Sequence, residues 1–266
     1  MNQDYASSTI FFNKLKNAIE FNKIFPKYQP VVRLIDGHIS SFEVLARWTD
    51  AQLGAVSPEK FIPVAESARL IKALTESILD QAIDDLPLIK NRFPEAKLAI
   101  NISPSLFKAN QLLQIFVDRS ESCGHLFKCL DLEIVESEML DSEEEAINQI
   151  EQLNRMGLNI TIDDYGKNYS SLARLVQLPF NRLKIDQCFV KDLASKKESR
   201  IVIKNIIALA NDLEISVIAE GIETVEQLDA LLDLGCEYGQ GWYFSRDVPA
   251  SEIAKLPLNY PIEKRI

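Results

Sequence analysis

Asn159-Ile160-Thr161-Ile162-Asp163-Asp164-Tyr165-Gly166 reads as a short strand that stops on two adjacent carboxylates. Apolar and polar residues alternate up to Asp163, the period-two signature of a strand with two different faces. Two neighbouring aspartates repel. In a low-dielectric pocket one of them is driven to take up a proton unless a cation lies between them. The stretch therefore asks whether the other strands of the chain end in the same way.

Working outward, similar strands are expected at residues 97–102, 130–135, 182–185, 215–219 and 237–243. Helical spacing is read over 109–122, 142–156, 170–176, 200–213 and 224–234. Nearer the N-terminus a helix over 11–21 is ended by Pro26. Strands over 27–34 and 41–48 are joined at Asp36-Gly37, a hairpin-type turn signal. Ser57-Pro58 opens a further helix with proline at its first position. Alternating strands and helices predict either a (β/α)8 barrel or a doubly wound open sheet, and eight units in a chain of 266 residues favour the barrel. The hairpin link means that the first two strands cannot both run parallel to the rest. The expected fold is α/β, a modified TIM barrel over residues 10–256 between tails at 1–9 and 257–266.

Composition narrows the chemistry. The chain has 39 acidic and 29 basic residues, a net charge of −10, which argues against binding duplex nucleic acid or anionic membrane. No apolar run is long enough for membrane insertion, and the N-terminus lacks the pattern of a signal peptide. Cys123, Cys129, Cys188 and Cys236 are scattered, which fits a reducing cytoplasm, and with only two histidines a zinc site is not expected.

On nearly every expected strand one face is Leu, Ile or Val, and the other carries a polar residue near the C-terminal end. Glu43, Asn101, Glu133, Asp163, Asp164, Lys184, Glu220 and Gln240 would meet at the C-terminal mouth, where such barrels place their chemistry. One such carboxylate is ordinarily a helix cap or a solvated loop residue. The same placement on strand after strand is a joint pattern. Oxygen donors without His or Cys suit Mg²⁺ or Mn²⁺, and two such ions serve phosphoester displacement.

These residues fall in motifs that resemble the EAL domain, the bacterial cyclic-di-GMP phosphodiesterase module. They stand as Tyr28-Gln29-Pro30, Glu43-Val44-Leu45-Ala46-Arg47-Trp48, Phe61-Ile62-Pro63-Val64-Ala65-Glu66, Asn101-Ile102-Ser103, Glu133-Ile134-Val135-Glu136-Ser137, Asp163-Asp164-Tyr165-Gly166, Leu183-Lys184-Ile185-Asp186, Ile218-Ala219-Glu220-Gly221-Ile222-Glu223 and Gln240-Gly241-Trp242-Tyr243-Phe244-Ser245-Arg246. The resemblance implies hydrolysis of cyclic-di-GMP to linear pGpG with two divalent cations. It implies Glu43, Asn101, Glu133 and Asp163 as ligands of one ion, with Asp163 bridging to a second that Asp164 also binds. Lys184 and Glu220 are implied to orient or deprotonate the attacking water, and Gln240 to help place it. Gln29, Glu43, Leu45 and Arg47 are implied substrate contacts. Glu136, Asp186 and Glu223 are implied supports behind the ligands, although Glu136 and Glu223 read equally well as acids at helix N-termini. A homodimer contact near the loop after Asp164, and a regulatory domain or protein outside this chain, are also implied.

The chain departs from the family pattern at four places. Val44 replaces Ala, Val135 replaces Thr, Lys167-Asn168 replaces Thr-Gly, and Asp247 replaces the Pro after Ser245-Arg246. These changes keep open a second reading, a cyclic-di-GMP receptor with little or no turnover. A protein-interaction domain without ligand is the third, opposed by intact Gln29, Glu43 and Arg47.

Overall fold

The computed structural model describes residues 2–135, 143–166 and 177–262. The strands are β1 (Ile24–Arg33), β2 (Ile39–Asp50), β3 (Gly54–Val56), β4 (Lys97–Ile102), β5 (Leu130–Val135), β6 (Asn159–Tyr165), β7 (Arg182–Ile185), β8 (Ser216–Ala219) and β9 (Tyr238–Gly239). The described helices are α1 (Asn2–Glu20), α2 (Pro58–Ser67), α3 (Ile71–Arg92), α4 (Gln111–Cys123), α5 (Glu143–Arg155), α6 (Gln187–Lys191), α7 (Lys197–Asp212), α8 (Val225–Asp233) and α9 (Ala250–Ile253). The helix expected at 170–176 lies outside the described residues.

The sheet runs β1-β9-β8-β7-β6-β5-β4-β2-β3, and pairing of β1 with β2 closes it into an eight-stranded barrel with β3 appended. From β2 through β4 to β9 each neighbour is parallel, whereas β1 is antiparallel to both β2 and β9. This is the modified TIM barrel that the hairpin at Asp36-Gly37 predicts. Gly37 adopts φ +73°, which the turn requires.

Three local expectations are corrected. Pro26 does not end the first helix. That helix stops at Glu20, the chain reverses through Asn22 at φ +50°, and Pro26 lies inside β1. Tyr28 sends its N–H to Val248, away from β2. By alternation the ring nitrogens of Pro26 and Pro30 face that same side, where β1 has no continuous partner, so no ladder bond is lost. The stretch with Gly54, read as a loop, contains β3, antiparallel to the end of β2. The last strand is shorter than 237–243. After Gln240 the chain wraps around Ile222, whose carbonyl oxygen would sit 2.1 Å from a Cβ at position 241. Only glycine fits that approach.

Strand alternation sorts the side chains as expected. Leu130, Leu132 and Ile134 are fully covered by the helices. Asp131 and Glu133 point into the barrel, one layer apart. In the lower layer Asp131 takes Lys97 (3.3 Å), Asn159 (2.9 Å) and Arg182 (3.1 Å), and the Arg182 guanidinium lies 5.1 Å from the Tyr238 ring centroid. This charged plug closes the N-terminal end, and the upper layer opens to the mouth. No helix among the described residues is long and apolar enough to cross a membrane, and all four cysteines are free.

Candidate active site

The two carboxylates at the end of β6 are placed by a bulge. Ile162 pairs with Leu183 and Tyr165 with Ile185, so three steps along β6 match two along β7. The extra residue falls in the Asp163-Asp164 segment, and Asp164 takes a left-handed φ of +56°. Strict alternation would turn Asp164 to the opposite face from Asp163. The bulge brings carboxylate oxygens of Asp163, Asp164 and Glu220 within 4.8 Å of one another.

Lys184 occupies the centre. It rises from β7 into the barrel and is fully buried. Its Nζ is 2.9 Å from Glu133 Oε2 and 2.8 Å from Glu220 Oε1, with Glu43 Oε2 and Asp163 Oδ1 each at 3.5 Å. Burial alone would strip its charge, but the four carboxylates outweigh burial and hold the ammonium well above its ordinary pKa. Desolvation pushes Glu133 well above the usual carboxylate range despite the lysine. The same burial raises Glu220 to about 8. Glu43 goes the other way: burial opposes ionisation, and Lys184, Asn101 and Gln240 together overcome it.

Glu43 is the hub between strands. Its Oε1 accepts from Asn101 Nδ2 (2.9 Å), and its Oε2 accepts from Gln240 Nε2 (2.6 Å). Gln240 also donates to Gln29 Oε1 (3.0 Å), and Gln29 donates to the Ser245 carbonyl (3.1 Å). Two cavities meet at Glu43. The larger, about 620 Å³, has largely apolar walls that include Leu45, Ile62, Ile78 and Val135, with Arg47 and Asp164 at polar points. The smaller, about 220 Å³, is lined by Gln29, Glu220, Glu223, Gln240 and Trp242.

The arrangement fits hard divalent cations. All donors are oxygens, and Glu133 Oε1 and Gln240 Oε1 are buried acceptors with no hydrogen-bond partner. Buried oxygens left without a donor are positions that a divalent cation would satisfy. Glu43, Glu133 and Asp163 reach the Lys184 ammonium from β2, β5 and β6, Asn101 of β4 bonds to Glu43, and Asp164 lies against Asp163 and Glu220.

The supporting residues are placed differently. Asp186 caps α6, accepting from the Cys188 amide at 2.9 Å. The Glu223 side chain is exposed, beside the capping box that Thr224 and Gln227 form on α8. Glu136, Lys167 and Asn168 lie outside the described residues. Sequence reading noted Asp247 only as a departure from the family pattern and missed its bond from Arg47 Nε at 3.0 Å, as well as the stack of Arg246 on Trp242, 3.9 Å from the ring centroid. The acid standing where the motif has proline was the available signal for Asp247.

Comparison with known proteins agrees with this fold. The EAL domain model matches residues 13–247. A relative from Escherichia coli K12, the probable cyclic di-GMP phosphodiesterase PdeG, is 35% identical over 259 residues, covering 94% of this chain and 51% of its own. The oxygen sensor protein DosP of the same organism is 34% identical, over 95% of this chain and 32% of its own. The chain thus spans from about a third to about half the length of these relatives. Among solved structures, the PaMucR phosphodiesterase in complex with c-di-GMP superimposes with TM-score 0.84 and 33% identity, over 91% of this chain and 98% of that one. Matched along most of its length by the family model, and carrying the motif residues at one barrel mouth, the chain belongs to the EAL domain family.

Proposed function

We propose that this chain hydrolyses one phosphodiester bond of cyclic-di-GMP to give linear pGpG. The observation that carries the reading is Lys184, buried and bonded to both Glu133 and Glu220, 3.5 Å from Glu43, the residue at which two cavities meet. The relatives named as cyclic di-GMP phosphodiesterases support the substrate.

Glu43, Asn101, Glu133, Asp163 and Asp164 would hold two divalent cations, Mg²⁺ or Mn²⁺, which supply charge neutralisation at the phosphate and acidify bound water. The larger cavity receives one guanosine against Leu45 and its apolar neighbours, and Arg47 offers its guanidinium to a phosphate oxygen. The other half of the dinucleotide lies toward Gln29 and Trp242. Lys184 holds Glu220 through Oε1, and Glu220 Oε2 accepts a proton from the attacking water. Gln240, fixed between Gln29 and Glu43, helps place that water. Water oxygen bonds to phosphorus, the P–O3′ bond breaks, the departing ribose oxygen takes a proton from solvent to leave as the alcohol, and Glu220 gives its proton back to solvent. The product keeps a 5′-phosphate.

The test is incubation of the purified protein with cyclic-di-GMP and Mg²⁺ or Mn²⁺, with products separated by chromatography. Appearance of pGpG that chelation abolishes is expected; complete recovery of intact dinucleotide would sink the reading. A second reading, a receptor without turnover, draws on Val135, which brings no hydroxyl to the cavity wall beside Asp164. Tight dinucleotide binding in the presence of metal without product would select it. A homodimer, a cytoplasmic setting and control by a regulatory domain or protein outside this chain also belong to the proposed reading, drawn from the family pattern.

A further inference from the structure

Residues 244–248 follow β9 and pass over the outer edge of β1 and β2. Their backbone is pinned: Tyr28 and Val248 exchange both amide bonds, at 2.8 and 2.9 Å. One residue earlier, Asp247 Oδ2 accepts from Arg47 Nε at 3.0 Å and lies 3.7 Å from Lys27 Nζ. Arg47 also donates through one terminal nitrogen to the Ala46 carbonyl at 3.1 Å. With two of its nitrogens held, the plane of the guanidinium is set. Among the described residues its other terminal nitrogen has no protein acceptor. Arg47 lines the larger cavity together with Glu43 and Leu45.

A loose arginine must be ordered when it meets a phosphate, and that ordering costs affinity. Here the ordering is done in advance by a carboxylate on a pinned loop. The geometry points to Asp247 as a positioning residue for substrate binding. It grips the inner edge of Arg47 and leaves the outer nitrogen for a phosphate oxygen of the dinucleotide. The inference rests on the reading above in which Arg47 meets that phosphate. Asp247 also places a negative charge near an anionic ligand. Lys27 offsets it, so Lys27, Arg47 and Asp247 together keep one net positive charge, and the preorganising effect wins. Proline, the residue the family pattern has here, offers no side-chain acceptor.

The experiment compares Asp247→Ala, Asp247→Asn, Arg47→Ala and the double variant Arg47→Ala/Asp247→Ala. KM and kcat are measured for cyclic-di-GMP, and Kd is measured by calorimetry on the same proteins so that binding is read independently of turnover. Asp247→Ala should raise KM or Kd about tenfold, the value of one charge-assisted hydrogen bond, with kcat within about twofold. Asn keeps an acceptor for Nε, so Asp247→Asn should recover affinity to within about threefold of the parent. In the double variant the alanine at 247 should add nothing to the loss from Arg47→Ala. Unchanged affinity in Asp247→Ala overturns the inference, and so does tighter binding, which would make Asp247 a competitor of the phosphate. A loss that persists in the Arg47→Ala background overturns it too, because it would show a merely structural role. If Arg47→Ala itself leaves Kd unchanged, the reading of Arg47 falls and takes the inference with it.

Discussion

The backbone N–H of Asp164 donates to Oδ1 of Asp163 at 2.8 Å, so the first carboxylate steadies the turn that presents the second. That turn costs strain, because Asp164 sits at φ +56°. Asp164→Gly should relieve the strain and raise metal-free stability by about 1 kcal/mol. Metal affinity should fall tenfold or more with the lost ligand. Thermal melts without metal and a Mn²⁺ titration check both, and a drop in metal-free stability would show the turn to be unstrained.

Lys184 balances Glu43, Glu133, Asp163 and Glu220, which among the described residues have no other cation beside them. Lys184→Met should cost the metal-free barrel about 3–5 kcal/mol, since it leaves buried charge uncompensated. Divalent cations should then raise its melting temperature by more than they raise the parent's. Turnover should fall about a hundredfold or more, with dinucleotide binding retained. Equal metal-induced shifts in the two proteins would contradict the central role given to the ammonium.

The plug at the other end of the barrel predicts the opposite pattern. Asp131→Ala strands Arg182 and Lys97 beneath the site and should lower stability by about 2–3 kcal/mol, discounted for their partial exposure. Because Asp131 lies a layer away from Glu133, kcat and KM at 25 °C should stay near parental values. A large loss of kcat in well-folded protein would show that the two layers are coupled.

Asp50 gives a pH signature away from the site. Lys14, at 2.7 Å, and the amides of Gln52 and Leu53, both at 2.9 Å, lower its pKa to about 2. A carboxylate with a depressed folded pKa contributes stability that is fully present above its unfolded value of about 3.8. That contribution is lost as pH falls through about 2. Asp50→Asn should therefore be less stable than the parent at pH 6, with the gap closing between about pH 4 and pH 2. Acid unfolding followed by circular dichroism reads this, and added salt should narrow the gap. A gap independent of pH would refute the ion-pair account.

How much of this was legible in the sequence varies by residue. Glu43, Glu133 and Lys184 could be placed because each lies on a strand whose opposite face is unbroken Leu, Ile or Val, and period two settles their direction. Gln240 could be placed near them only through its glycine neighbours and the family motif. Asp164 could be placed at the mouth by its position at the strand end, but not the turn that presents it, since a one-residue bulge is a property of the β6–β7 pairing and leaves no mark in local periodicity. Pro26 misled for a similar reason. Whether a proline breaks a strand depends on which side its nitrogen faces, and that side is fixed by the partner strand. The bond from Arg47 to Asp247 joins distant parts of the chain and depends on the Tyr28–Val248 bridge, which no sequence pattern announces.

The reversed first strand has a further consequence. β1 follows β2 for most of its length, but it meets β9 only at Val32–Gly239 and Arg33–Tyr238. That short seam joins the two ends of the barrel sequence and, like the joint between β8 and β9, carries only two residue pairs. Above it run the hydrogen bonds from Gln29 to Ser245 and from Gln240 to both Gln29 and Glu43. The side chains proposed to receive the dinucleotide are thus also the latch of the cylinder. Amide protons at the seam should exchange with solvent sooner than those of β4 to β6, and a ligand that engages Gln29 should slow them from above, so that occupancy of the mouth is written into the breathing of the wall.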